Sequence, residues 1–206
     1  MPHSPFTPKP TTLTTLTAEQ QQCLLRLARL TIASHWRPDI QAEQKELASR
    51  LQPLDTPCAC FVTLHDAQGE LRGCIGTLQA ERPLLAAVVF YASAAAFSDP
   101  RFPPLSAKEL PLITVSITLL GPLTPLVAST RQELASALQP HQDGLVLQAG
   151  PHSATFLPTV WRQLPTPEQF ISALLRKGGW PHEGWPQGIQ AWRYAGIEFT
   201  ESTTSR

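Results

Sequence analysis

A chain of 206 residues is long enough for one substantial hydrophobic core, with room for a small second lobe. Its 16 basic side chains are matched by 16 acidic ones with no long run of either sign, which argues against sequence-independent binding to a phosphate backbone and so against a nucleic-acid partner. No apolar run approaches the roughly 18 residues of a membrane-spanning helix, and Met1 to Thr12 has neither the basic start nor the apolar stretch of a secretory leader; a soluble, cytoplasmic protein with no membrane partner is expected.

In chain order, residues 1–16 read as a disordered proline- and threonine-rich tail. Thr17-Ala18-Glu19-Gln20 has the form of a capping box, and Cys23, Leu24, Leu27, Ala28 and Ile32 follow at helical spacing, predicting a helix from Ala18 to His35. Arg37-Pro38 ends it, and Ile40 to Leu51 suits a second, polar-faced helix. Pro53 and Pro57 then isolate a strand over Cys58 to Leu64, which turns through Ala67-Gln68-Gly69 into a return strand carrying Arg72 and Cys74: a β-hairpin with His65 in its turn.

Pro83 is placed for the first turn of a helix, and Leu84 to Phe97 is apolar on nearly every side, as in a helix packed between layers. Ser98 to Leu105 holds three prolines around Asp99 and Arg101, which predicts a stiff, extended loop. A short capped helical turn is expected at Ser106 to Glu109, a strand over Leu112 to Leu120, a short helix from Thr130, and strands over Asp143 to Gln148 and Ser153 to Leu157 around Gly150-Pro151. Thr166-Pro167-Glu168-Gln169 opens a helix that stops at Lys177-Gly178-Gly179, and two strands follow at Ala191 to Tyr194 and Ile197 to Thr200. Trp161, Trp180, Trp185 and Trp192 cluster in this last third, where packing roles outrank ligand stacking. Helices and antiparallel hairpins without regular βαβ repeats predict an α+β fold.

The most informative stretch is Leu71-Arg72-Gly73-Cys74-Ile75-Gly76-Thr77. Glycine inside a strand marks a bulge or a close approach by a ligand or another backbone, and here two glycines bracket a cysteine. An arginine can hold a carboxylate or phosphate with two parallel bonds, and a cation beside a thiol favours the thiolate. The alternative is an edge strand with a packed cysteine. The four cysteines, Cys23, Cys58, Cys60 and Cys74, read as reduced thiols. Cys58-x-Cys60 would put two sulfurs on one strand face near Cys74, but no C-x-x-C pair and no matched histidine pair accompanies them, so no metal and no cofactor is assigned. His141, His152 and His182 read as solvated loop histidines, and none of the established catalytic templates occurs.

These residues carry a resemblance. LRGCIGT at Leu71 to Thr77, AAFSDPRFPPL at Ala95 to Leu105, Asp143-Gly144-Leu145, ATFLPTVW at Ala154 to Trp161 and Lys177-Gly178-Gly179 are similar in order and spacing to the AMMECR-type domain family, as in the bacterial and archaeal AmmeMemoRadiSam systems, over Thr17 to Glu201. The resemblance implies one two-lobed unit over residues 17–201, the larger lobe a mostly antiparallel sheet flanked by helices, followed by a tail at 202–206. It implies motif residues gathered at a groove between the lobes, and it implies a Memo-like protein and a radical SAM protein as partners. It supplies no settled reaction. The chain departs from the family pattern where His152-Ser153 stands for Arg-Gly and where Lys-Ala-Gly becomes Lys177-Gly178-Gly179. The motif positions that match residue by residue give the expected site, Cys74 and Asp99 for chemistry and Arg72, Gly73, Gly76, Thr77, Arg101 and Phe102 for holding substrate; Lys177, in the motif that departs from the pattern, is added to the chemistry as a second cation. The expected function is to bind or process a small anionic or peptide-like substrate in a modification pathway, as an enzyme using the Cys74 thiolate or as a non-catalytic binding module. A nucleic-acid-binding regulator conflicts with the neutral charge.

Overall fold

The computed structural model describes residues 16–51, 54, 56–180 and 185–202. The tail expected over residues 1–16 lies outside them except for Leu16, which is buried, and so do Pro53, His182 and residues 203–206. The described chain forms two compact units, the first up to Leu120 together with the residues from Ile197 onward, the second Gly121–Gly196.

In the first unit, α1 (Ala18–Ala33) starts at the expected capping box: the Thr17 hydroxyl accepts the Gln20 N–H at 3.2 Å and Gln20 Oε1 accepts the Thr17 N–H at 2.8 Å. α1 buries Leu24, Leu25, Leu27, Ala28 and Ile32. A 3₁₀ turn at Pro38–Ile40 precedes α2 (Gln41–Leu51). β1 (Ala59–His65) and β2 (Leu71–Gly76) form the expected antiparallel hairpin, although His65 closes β1 rather than sitting in the turn. Asp66 Oδ1 organises that turn by accepting the N–H groups of Gln68 and Glu70, each at 2.9 Å, while Gly69 takes a positive φ of 81° that a Cβ would penalise.

α3 (Leu84–Phe97) packs against α1, β1 and β2, as its apolar surface demands. The segment expected as a helical turn at Ser106 to Glu109 is a hydrogen-bonded turn instead, because Glu109 Oε2 takes both the N–H and the hydroxyl of Ser106. β3 (Thr114–Leu120) pairs antiparallel with β1. Arg29 on α1 ties this unit together. Its guanidinium donates to Glu201 through Nε at 2.6 Å and Nη2 at 2.5 Å, and to the carbonyls of Leu110 and Ile113 at 2.8 Å each.

The second unit holds β4 (Thr124–Leu126), α4 (Arg131–Ala137), the β5 (Asp143–Ala149) and β6 (His152–Phe156) hairpin, and α5 (Pro167–Lys177). β4 was not expected. Pro125 removes a ladder donor, which restricts it to a short edge strand. Trp161 is fully buried, stacked on Phe170 with ring centroids 3.9 Å apart, and Trp180 joins the same core, as expected of the tryptophans. The two C-terminal strands expected from the sequence are one, β7 (Gln190–Thr200), which belongs to both units. The hydrogen-bonding order is β2-β1-β3-β7-β5-β6, with β4 on β7, so β2 ends the order as an edge strand. Antiparallel strands with helices beside them make the fold α+β, as expected. Among the described residues no helix is long and apolar enough to cross a membrane.

Candidate functional site

Alternation along β2 sends Gly73 toward α3 and Cys74 to the opposite face. A Cβ on Gly73 would stand 2.2 Å from the Ala95 carbonyl oxygen, so this glycine lets the helix backbone close on the strand. A Cβ on Gly76 would stand 2.3 Å from the Cys60 carbonyl oxygen and 2.4 Å from the Phe61 ring, its cross-strand partner. The space beside each glycine is therefore filled by the protein itself: of the two close approaches that strand glycines leave open, it is the fold's own backbone and not a ligand that stands where each Cβ would be.

Cys74 is half-buried and meets Thr63 directly across the ladder. The Thr63 hydroxyl donates to Cys74 Sγ at 3.3 Å, a contact that favours sulfur carrying negative charge. The main chain of Cys74 faces the free edge of β2, and there the 99–102 loop meets it. Asp99 Oδ2 accepts the Cys74 N–H at 2.8 Å, and Arg101 Nη2 donates to the Cys74 carbonyl at 3.2 Å. Asp99 and Arg101 are themselves joined by two parallel bonds, Nε to Oδ1 at 2.9 Å and Nη2 to Oδ2 at 2.7 Å, and Oδ1 also accepts the Arg101 N–H at 3.1 Å.

The Arg101 guanidinium, helped by the amides of Cys74 and Arg101, holds the Asp99 carboxyl well below the usual carboxylate range against the opposing effect of burial, and the same pairing raises Arg101. The Asp99 side chain is 2% exposed, that of Arg101 53%. The loop thus presents a guanidinium to solvent over a buried carboxylate.

Arg72 arrives at the same place from the strand. Its guanidinium carbon lies 5.9 Å from the Phe102 ring centroid and that of Arg101 lies 5.4 Å from it, so the two arginines share one aromatic ring. Arg72 Nε donates to Glu109 Oε1 at 2.8 Å. Arg72, with the amide and hydroxyl of Ser106, pulls the Glu109 carboxyl down to about 2. Arg72 and Arg101 set against Asp99 and Glu109 leave this cluster without net formal charge. Thr77 completes the strand end, its N–H donating to the Cys60 carbonyl at 3.0 Å and its hydroxyl accepting the Gln79 N–H at 3.1 Å.

The structure thus brings together Arg72, Cys74, Asp99, Arg101 and Phe102, with Gly73, Gly76 and Thr77 on the same strand. Lys177 belongs to the second unit, where Nζ donates to the Thr155 carbonyl at 2.9 Å and lies 5.1 Å from the Phe156 ring centroid. Two members of the cluster, Thr63 and Glu109, were not singled out from the sequence. Glu109 was visible only as a capping residue. Thr63 is found by counting across the hairpin, but a register shift between Leu64 and His65 defeats the count: His65 pairs with Leu71 while Thr63 pairs with Cys74, not Gly73. Cys58 and Cys60 are packing thiols, Cys58 pushed by burial up to about 11 and Cys60 raised further by deeper burial. Among the described residues, no group of three histidine, cysteine or carboxylate side chains could hold a metal ion.

A family model described as AMMECR1 matches residues 25–199. A protein of Thermofilum pendens is 31% identical over 210 residues, covering 91% of this chain and 92% of that protein, and Protein MJ0810 of Methanocaldococcus jannaschii is 29% identical over 193 residues, covering 90% and 92%. The crystal structure of an uncharacterized protein, PH0010 from Pyrococcus horikoshii, is similar with a TM-score of 0.76 and 26% identity, covering 91% of this chain and 94% of that one.

Proposed function

For this chain, a member of the AMMECR1 family, we propose that β2 and the 99–102 loop bind or process a small anionic or peptide-like substrate, in a cytoplasmic modification pathway that includes a Memo-like protein and a radical SAM protein. The partners come from the family resemblance alone. The site rests on one observation: the exposed guanidinium of Arg101 is locked by Asp99 onto the main chain of Cys74, whose sulfur accepts a hydrogen bond from the Thr63 hydroxyl. A cation and a donor fixed around one thiol favour its thiolate.

The second reading, a module that holds substrate without reacting, is favoured by the carboxylates. Asp99 and Glu109 both hold protons weakly, and a general base works best with a proton affinity matched to the operating pH. Neither serves that role at neutral pH, so covalent chemistry here depends on a thiolate already formed.

Reconstitution with the Memo-like and radical SAM proteins, with product formation as readout, separates the two. Cys74→Ser abolishes turnover with association intact if the thiol reacts, and has a mild effect if the surface only binds, since serine keeps the size but is a far poorer nucleophile. Arg101→Ala weakens both versions. Full activity in Arg101→Ala removes this site altogether.

A further inference from the structure

The substrate class of this site can be narrowed further from the edge of β2, on the reading above that the site takes an anionic or peptide-like ligand. We propose that the outward main chain of Gly76 pairs with one residue of an extended, uncharged peptide segment, whose adjoining carbonyl is taken by Arg101.

The alternation of an antiparallel ladder decides which groups face out. The Thr77 N–H is bonded inward to the Cys60 carbonyl at 3.0 Å, and the pairs Val62–Ile75 and Leu64–Gly73 follow in the same phase. Cys74 and Gly76 therefore point their N–H and C=O groups away from β1. At Cys74 those two groups are satisfied by Asp99 and Arg101. At Gly76 neither has a hydrogen-bond partner among the described residues. Gly76 is half-buried and has no side chain to screen these groups, so they stand open at the edge to a chain that can pair with them.

The Asp99–Arg101 pair occupies the edge as a neighbouring strand would and stops there, so a ligand chain has one residue pair available before it meets Arg101. The Arg101 Nε and Nη2 are engaged by Asp99 and Cys74, which leaves Nη1 to donate to a ligand.

Charge then separates a peptide from a small anion. The cluster carries no net charge, and an anion must compete for Arg101 with a carboxylate that already makes two parallel bonds to it. An amide carbonyl needs only the remaining N–H, and a peptide main chain supplies the complementary donor and acceptor for Gly76 as well. Gly76 lies two residues, or about 7 Å, from Cys74 along the strand, which sets the ligand's adjoining residue beside the thiol.

The test is a nuclear magnetic resonance titration of the ¹⁵N-labelled full chain with acetyl-Val-Thr-Val-Thr-amide, with its singly N-methylated forms, and separately with acetate and inorganic phosphate. The proposal expects the peptide to shift the Gly76 amide and slow its hydrogen exchange by about tenfold or more while the already bonded Cys74 amide changes little, and expects N-methylation at one position to cancel the effect. If acetate or phosphate shifts Arg101 Nε while the peptide leaves Gly76 unmoved, the peptide assignment is overturned and the anion-binding reading stands. If neither probe moves either residue, both are overturned. A Gly76 shift that survives every N-methylation overturns main-chain pairing.

Discussion

Asp99 and Cys74 are joined as neighbouring strands are joined: the carboxylate accepts the Cys74 N–H at 2.8 Å, and the arginine it grips returns a donor to the Cys74 carbonyl at 3.2 Å. A side-chain pair thus terminates an edge strand that would otherwise present open main chain to other strands. The two most specific motifs of the sequence, LRGCIGT and DPRF, are the two halves of one hydrogen-bonded arrangement.

Replacing the carboxylate should therefore cost stability as well as binding. Asp99→Asn removes the charge that holds Arg101 and leaves a buried amide with poorly matched partners, for an expected loss of about 2–3 kcal/mol. Urea unfolding followed by far-ultraviolet circular dichroism measures it. A midpoint equal to that of the parent chain would show that the loop, not the carboxylate, seals the edge.

Acid should weaken the same contacts. Glu109 and Asp99 both have depressed folded-state values, Glu109 at about 2, so their contribution is fully present above the ordinary carboxylate range and is lost as pH falls. The urea midpoint is expected to hold steady above about pH 5 and to decline between about pH 4 and pH 2. Glu109→Gln should flatten part of that decline. An unchanged slope in the variant would mean that the Arg72–Glu109 pair contributes nothing measurable.

The four thiols should react in a defined order. Cys58 and Cys60 are buried and their ionisation is disfavoured, whereas Cys23 and Cys74 are half-buried and, among the described residues, only Cys74 has a hydroxyl donating to its sulfur. Brief alkylation near neutral pH, mapped by mass spectrometry, should label Cys74 ahead of Cys23 and leave the other two last. Thr63→Val should slow labelling of Cys74 about threefold or more by removing the donor. If Cys74 is labelled last, the thiol is a packing group and the nucleophile reading fails.

The glycines separate close contact from turn geometry. Gly73→Ala forces a methyl into the Ala95 carbonyl and should destabilise the fold by about 2–4 kcal/mol, since backbone on both sides has little room to yield. Gly69→Ala meets open space and only its positive φ opposes it, for about 1 kcal/mol. Equal losses in thermal unfolding would contradict the assignment of Gly73 to helix packing.

The chain itself determined whatever is encoded within a few residues. The capping box at Thr17, the N-cap at Thr166, the apolar span of Leu84–Phe97 and the glycine-containing turn at Gly69 each specify their element by contacts three or four positions apart, and those elements appear where the sequence places them. The stiffness of the loop that carries Arg101 was likewise legible from its three prolines, though not that Arg101 and Arg72 would share the Phe102 ring. Only the tertiary structure decided the rest. The register shift at Leu64/His65 puts Thr63 rather than its neighbour opposite Cys74; Glu109 reaches Arg72 across 37 positions; and Gly73 is explained by a helix backbone rather than by a ligand. Each of these depends on how strands and helices come together, and a one-residue change of register moves every side chain of a strand to the other face, which no local pattern in the chain records.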